Sequence, residues 1–135
     1  MDTKDPKQTP ADAPAKPRIL VIDDDPVLKR VIAIGLGKSG YAVTTVGNGE
    51  EAMAVLKSSV FDVIMVDMMM PFMDGLRFLS WLRGTAGIQT PVLVQTSLAR
   101  QKIEDDVRAA GAQDLIIKPA RLPELLEKIR KLVGR

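Results

Sequence analysis

The residues best placed to do chemistry stand at the ends of apolar runs. Asp23-Asp24-Asp25 closes one run, Asp67 a second, Thr96-Ser97 a third and Lys118-Pro119 a fourth. Carboxylates brought close together raise each other's pKa unless a cation neutralises them. Two or three of them, with room left for water and phosphate oxygens, form the hard oxygen site that Mg²⁺ prefers. A lysine and a hydroxyl arriving from the other side add a positive charge and a hydrogen-bond donor. Such a set is suited to stabilising a phosphoryl group on an aspartate oxygen. The composition excludes most other chemistry. With no cysteine there is no disulfide, thiolate nucleophile or Cys-based metal site, and with no histidine there is no imidazole base near neutral pH.

These residues need elements that bring them together. Ile19–Ile22, Val63–Val66, Val92–Val94 and Leu115–Ile117 are continuous, β-branched-rich runs of strand length, which implies strands buried on both faces of a parallel sheet. Tyr41–Val46 is more polar and suits a strand nearer an edge. Helical periodicity fills the gaps: Val27/Val31 with Leu28/Ile32, then Ala52/Met53/Leu56, Leu76/Leu79/Leu82 and Ile103/Val107/Ala110. The last helix carries Leu122, Leu125, Leu126, Ile129, Leu132 and Val133. Asp25-Pro26 has the form of a helix N-cap followed by proline at the first helical position, so Asp25 is left out of the site. Gly35, Gly37 and Gly40 are expected to close the first helix, Gly84 and Gly87 the third and Gly111 the fourth, while Gly47-Asn48-Gly49 has the form of a plain turn.

Five βα units in strict alternation imply an α/β fold, a five-stranded doubly wound parallel sheet with right-handed crossovers. Ligands bind such sheets at the carboxyl ends of the strands, beside the point where strand order reverses. In the flavodoxin-like order 2-1-3-4-5 that point lies between strands one and three. It gathers Asp23, Asp24 and Asp67 around one crevice.

Length and charge set the outer limits. At 135 residues one domain is expected. Residues 1–17 hold Pro6, Pro10, Pro14 and Pro17 with three lysines and three aspartates, a composition that predicts a disordered tail ahead of a domain over 18–135. The net charge of +2 argues against nucleic acid as the main partner, although the pI is about 9.0. No apolar stretch approaches bilayer length and the polar N-terminus is no signal peptide, so no membrane contact and a cytoplasmic location are expected.

Val21-Ile-Asp-Asp-Asp-Pro26, Asp67-Met-Met-Met-Pro-Phe-Met-Asp-Gly75, Thr96-Ser97 and Lys118-Pro119 occur in the order and spacing of the receiver domains of two-component response regulators. The chain resembles that family, in particular its stand-alone, chemotaxis-regulator-like members, over residues 18–135. The resemblance implies that Asp67 accepts phosphate from a histidine kinase or histidine phosphotransfer protein. It implies that Asp23, Asp24, Asp67 and the backbone carbonyl of Met69 hold Mg²⁺, that Thr96 hydrogen-bonds the phosphoryl group, and that Lys118 pairs with it. The bond before Pro119 would be cis, aiming the lysine. Side chains two residues beyond the aspartate and two beyond the threonine, here Met69 and Leu98, flank the water that removes the phosphate. Both are apolar, which implies slow self-dephosphorylation.

The sequence departs from the family at Leu115, where an aromatic switch residue is common, and at Ala120, where phenylalanine often follows Lys-Pro. The usual threonine–aromatic coupling is therefore not expected, and the signal would leave by another route. Five methionines between Met65 and Met73 suit packing around the site loop better than a metal box. Gly35-Leu-Gly-Lys-Ser-Gly40 satisfies a nucleotide-binding string but follows a helix and precedes a strand, the reverse of what that motif needs. Two rival functions stand beside the switch. One is a docking module of receiver fold that works without phosphorylation. The other is a phosphatase resembling the haloacid dehalogenases, with Asp23 as nucleophile, which would leave Asp67 idle. With no output domain after Arg135, output is expected through contact with a downstream protein, by a monomer or a weak phosphorylation-dependent dimer, or else the chain is part of a longer protein.

Overall fold

The computed structural model describes residues 15–70, 73–97 and 101–134. Five strands, β1 (Arg18–Ile22), β2 (Ala42–Val46), β3 (Val63–Asp67), β4 (Val92–Thr96) and β5 (Asp114–Ile117), form one parallel sheet in the order β2-β1-β3-β4-β5. Five helices connect or follow them: α1 (Pro26–Lys38), α2 (Gly49–Leu56), α3 (Gly75–Ser80), α4 (Gln101–Ala109) and α5 (Leu122–Val133). This is the doubly wound, flavodoxin-like arrangement that the alternation of patterns predicts. Residues 1–14, most of the expected tail, lie outside the described residues.

The pleat sorts the core into two layers. Leu20, Ile22, Ile64, Val66, Val92 and Val94 face α2, α3 and α4. Ile19, Val21, Val63, Met65, Leu93 and Ile116 face α1 and α5. β3 and β4 are buried along their whole length, as continuous apolar runs require. β5 does not follow that expectation. It has β4 as its one neighbour, and Ile117 remains 38% exposed.

Local chemistry fixes the helix starts. Asp25 Oδ1 accepts hydrogen bonds from the Val27 and Leu28 N–H groups at 2.9 and 3.2 Å, the expected cap of α1. Gly47-Asn48-Gly49 is more than the expected plain turn. Asn48 Oδ1 accepts from Glu51 N at 2.8 Å while Glu51 Oε1 accepts from Gly47 N at 2.7 Å, a reciprocal cap of α2.

Three expectations about helices need correction. α1 runs through Gly35 and Gly37 and stops only where Gly40 adopts a φ of 98°. Gly35 is small for a packing reason, because a Cβ there would lie 2.7 Å from Leu122 Cδ1 of α5. The apolar residues of α1 also divide. Ile32 and Leu36 are buried, whereas Val27 and Val31 are 71% and 59% exposed, since only one stripe of the helix meets the sheet. Finally, α3 does not end at Gly84. It continues as a π-helical turn over Trp81–Thr85, and Gly87 takes the positive φ of 66° that redirects the chain.

That π turn delivers Arg83 to the amino end of the sheet. Its Nη1 donates to Ile88 O and Thr90 O, each at 2.8 Å, and its Nη2 donates to Gly111 O at 2.7 Å and Gln113 Oε1 at 3.1 Å. Burial lowers the pKa of this guanidinium from its ordinary value. One side chain thus ties the approach to β4 to the approach to β5. Truncating it leaves several carbonyls with lost partners in a half-buried setting, which costs about 1–3 kcal/mol. Arg83→Met is expected to destabilise the fold by about 2 kcal/mol in equilibrium urea unfolding. An unchanged midpoint would show that water replaces the guanidinium without loss.

Candidate functional site

Strand register builds the site. Ile22 pairs with Val66, Asp67 with Gln95, and Thr96 with Ile117, so the carboxyl ends of β1, β3, β4 and β5 finish side by side. The ladder continues just beyond them: Asp23 N donates to Val46 O at 3.1 Å, Met68 N to Gln95 O at 2.8 Å and Lys118 N to Thr96 O at 2.7 Å. Asp23, Asp67, Thr96 and Lys118 are therefore set by main-chain bonds, not by loop chance.

Asp74 caps α3 by accepting from Arg77 N at 2.9 Å. Gly75 then packs so closely that a Cβ would lie 3.1 Å from Met68 Cα and 3.2 Å from Asp67 O, and its N–H donates to Met68 O at 2.9 Å. The start of α3 thus lies directly against the main chain that carries Asp67. Asp74-Gly75 is a support of the site as well as a turn.

Asp23 and Asp67 are buried, and Asp24 is exposed. One carboxylate oxygen from each lies within 4.8 Å of the others. Lys118 Nζ is 2.7 Å from Asp67 Oδ2 and 3.8 Å from Asp23 Oδ2. Burial pushes the Asp23 carboxyl above its ordinary range, partly offset by the Asp25 N–H, which donates to Asp23 Oδ1 at 2.9 Å, and by the Lys118 charge. Burial works to lower Lys118, but its hydrogen bond to Asp67 and the surrounding carboxylates outweigh it and hold the ammonium above its ordinary value. Met69 N donates to Asp67 Oδ1 at 3.1 Å, while the Met69 side chain is 63% exposed. The Lys118-Pro119 bond is cis, and Thr96 is fully buried.

Three carboxylates therefore face one ammonium in a space partly closed to water. Hard oxygen donors with net negative charge fit a small divalent cation, and Asp23, Asp24 and Asp67 are the residues able to hold it. Asp25 stands apart as the α1 cap. Met65, Met68 and Met70 are buried as packing, with Met69 alone of that run turned outward. Leu98 lies outside the described residues. Ser39, in the nucleotide-binding string, caps α1 with its hydroxyl donating to Gly35 O at 3.1 Å. The nucleotide-binding string is a helix end.

Sequence reading missed one residue here. Gln95, the neighbour of Thr96 on β4, is buried to 1% exposure, and its Nε2 donates to Asp23 Oδ2 at 2.7 Å. The signal was available: a lone amide in an otherwise apolar central strand must find a partner.

Comparison with known proteins agrees with the fold. The response regulator receiver domain matches residues 19–130. The chain is 40% identical to the response regulator MprA of Mycobacterium tuberculosis over 120 residues, and 34% identical to the transcriptional regulatory protein PcoR of Escherichia coli. Each match covers 87% of this chain, and the chain spans about half the length of those relatives, 51% and 52%. Among solved structures, the receiver domain of the Francisella response regulator 1452 superposes with a TM-score of 0.85 at 31% identity, covering 89% of this chain and 98% of that one. The chemotaxis response regulator CheY4 of Vibrio cholerae gives 0.83 at 28% identity, covering 87% and 99%.

The raised Asp23 has a measurable consequence. An acid whose pKa is higher folded than unfolded binds its proton more tightly in the fold, so stability falls as pH rises past the unfolded value of 3.8. Ionised Asp23 is then a cost in metal-free protein at pH 7. Asp23→Asn keeps the shape, and the Gln95 amide can turn its oxygen to the new NH₂. The variant is expected to show a higher urea midpoint than the parent at pH 7 in chelator, with the gain narrowing as the pH approaches 3.8. A lower midpoint at pH 7 would show that the carboxylate's bonds outweigh its desolvation.

Proposed function

Because the chain belongs to the response regulator receiver domain family, we propose that it is a phosphorylatable signalling switch in which Asp67 accepts a phosphoryl group from a phosphohistidine donor. The observation that carries this reading is the 2.7 Å pair of Lys118 with a buried Asp67, beside two further carboxylates at the carboxyl end of the sheet. Family members are signalling proteins rather than enzymes that turn over a separate substrate. Neither rival function explains that pair: a docking module has no use for it, and the phosphatase reading leaves Asp67 idle while Asp23 is buried with both oxygens accepting hydrogen bonds.

In the transfer, a carboxylate oxygen of Asp67 attacks phosphorus in line, the donor's N–P bond breaks, and the imidazole leaves with the electron pair and takes up a proton. Lys118 sits where it can pair with the new phosphoryl oxygens once Asp67 has lost its charge to the acyl phosphate bond. Thr96, at the end of the adjacent strand, supplies a hydroxyl to the same group. Asp23, Asp24, Asp67 and the Met69 carbonyl are the ligands for Mg²⁺. When bound, the ion supplies positive charge against both the crowded acids and the phosphoryl oxygens.

The donor is a histidine kinase or a histidine phosphotransfer protein, and the output is an altered contact with a downstream protein. Neither nucleic acid nor a membrane belongs to this reading of the receiver region. Among the described residues no helix is long and apolar enough to cross a membrane, and a cytoplasmic location, as a monomer or a weak phosphorylation-dependent dimer, completes the proposal.

Two experiments test it. Asp67→Asn removes the nucleophile but keeps the shape, so incubation with Mg²⁺ and acetyl phosphate is expected to leave that variant unlabelled while the parent takes up acid-labile phosphate. Stoichiometric labelling of the variant would sink the assignment. For persistence, Met69, which is exposed, and Leu98 both carry apolar side chains that cannot orient an attacking water by a strong hydrogen bond. Phosphorylated parent is therefore expected to decay several-fold more slowly than a Met69→Asn, Leu98→Glu double variant, with Mg²⁺ and no partner. Equal decay would refute the argument from these two side chains.

A further inference from the structure

Among the described residues, Gln95 is the buried polar side chain at the site that neither the phosphoryl chemistry nor the metal ligation uses. It is buried on β4, and its amide reaches across β3 to Asp23, 72 residues away in sequence, at 2.7 Å. Its own main chain is fixed by Met68 N, which donates to Gln95 O at 2.8 Å. The residue therefore links the segment that follows Asp67 to the carboxylate of Asp23 through a short, dehydrated hydrogen bond.

We infer that Gln95 is a positioning residue for the divalent cation: its amide fixes the Asp23 carboxylate in the orientation that serves the metal and keeps Lys118 on Asp67. The second part follows from the distances. Asp23 Oδ2 lies between two donors, Gln95 Nε2 at 2.7 Å and Lys118 Nζ at 3.8 Å. The same lysine is 2.7 Å from Asp67. With Asp23 Oδ1 held by the Asp25 N–H, the Gln95 amide completes a two-point grip that stops the carboxylate turning toward the ammonium. Without that grip, a buried Asp23 draws Lys118 to itself as the nearest available cation. Both changes oppose metal binding: the ligand is misaligned and already paired, and the ammonium stands closer to where the ion must sit. Groups that orient metal ligands by hydrogen bonding characteristically change affinity by about 10–100-fold when removed.

The inference rests on the metal-holding role proposed above for Asp23, and the experiment separates the two. Mg²⁺ affinity is measured by calorimetry on the full chain and on Gln95→Met, which retains length and apolar packing but lacks the amide. The variant is expected to bind Mg²⁺ at least about tenfold more weakly and to recover acetyl phosphate labelling when Mg²⁺ is raised in proportion. A purely structural glutamine would lower the urea midpoint without moving the Mg²⁺ affinity, so an affinity within twofold of the parent overturns the inference. If the parent itself shows no saturable Mg²⁺ binding, the functional reading fails first and this one with it. Should Gln95→Met not fold, NMR of the parent decides. The Gln95 side-chain amide signals are expected to exchange slowly with water and to shift on Mg²⁺ addition, and signals indifferent to Mg²⁺ overturn the inference.

Discussion

Two buried carboxylates share one ammonium. Asp23 and Asp67 are withdrawn from water, and Lys118 reaches one of them fully and the other only at 3.8 Å. Left to themselves, like charges in such a place separate or take up protons. Separation is not open, because parallel pairing of β1 with β3 and main-chain bonds beyond the strand ends hold both residues at neighbouring positions. The close seat of Gly75 against Met68 and the caps at Asp25 and Asp74 serve the same end. The surrounding structure is rigid where the charges are uncomfortable, and it is that discomfort a cation or a proton relieves.

The architecture was legible because it rests on periodicity. Four apolar runs and one half-polar run gave the five strands, and the residues at their ends gave Asp23, Asp24, Asp67, Thr96 and Lys118 before any coordinates. What escaped depends on neighbours that are distant in sequence. Gly35 looks like a helix terminator until Leu122 of α5 is seen pressed against it. Leu115–Ile117 has the composition of a strand buried on both faces, and although the expected strand order already put it at an edge, the run alone does not tell that Ile117 stays 38% exposed. Val27 and Val31 fit a helical repeat as well as Leu28 and Ile32 do, and only the direction of docking divides them. Gln95 is a lone amide whose partner, Asp23, stands 72 residues away, so the sequence marks its need for a hydrogen bond without marking where that bond goes.

The pleat adds an asymmetry to the site. Gln95 follows the parity of Leu93 and lies with Asp23 toward the α1 and α5 layer, whereas Thr96 follows Val92 and Val94 toward the opposite layer. A single strand end thus presents one polar group to each side of the sheet. Leu115 packs against the layer that Thr96 faces, and Ala120 against the other. The two departures from the family pattern therefore bear on different layers of helices.

The amino end of the sheet is built from other materials. Arg83 holds the entries to β4 and β5 through Ile88, Thr90 and Gly111 carbonyls and the Gln113 amide oxygen, with no carboxylate among these partners. A guanidinium stays charged throughout the accessible pH range, and carbonyls and amides do not titrate. Acid therefore reaches the two ends of the same strands unequally. As protons are added, burial favours the neutral form of Asp23 at the carboxyl end, while the Arg83 clasp keeps every bond it has. The sheet feels protons at one rim, through Asp23, and not at the clasp on the other, so a change of charge at the carboxyl end leaves the strand entries that hold β4 and β5 in place.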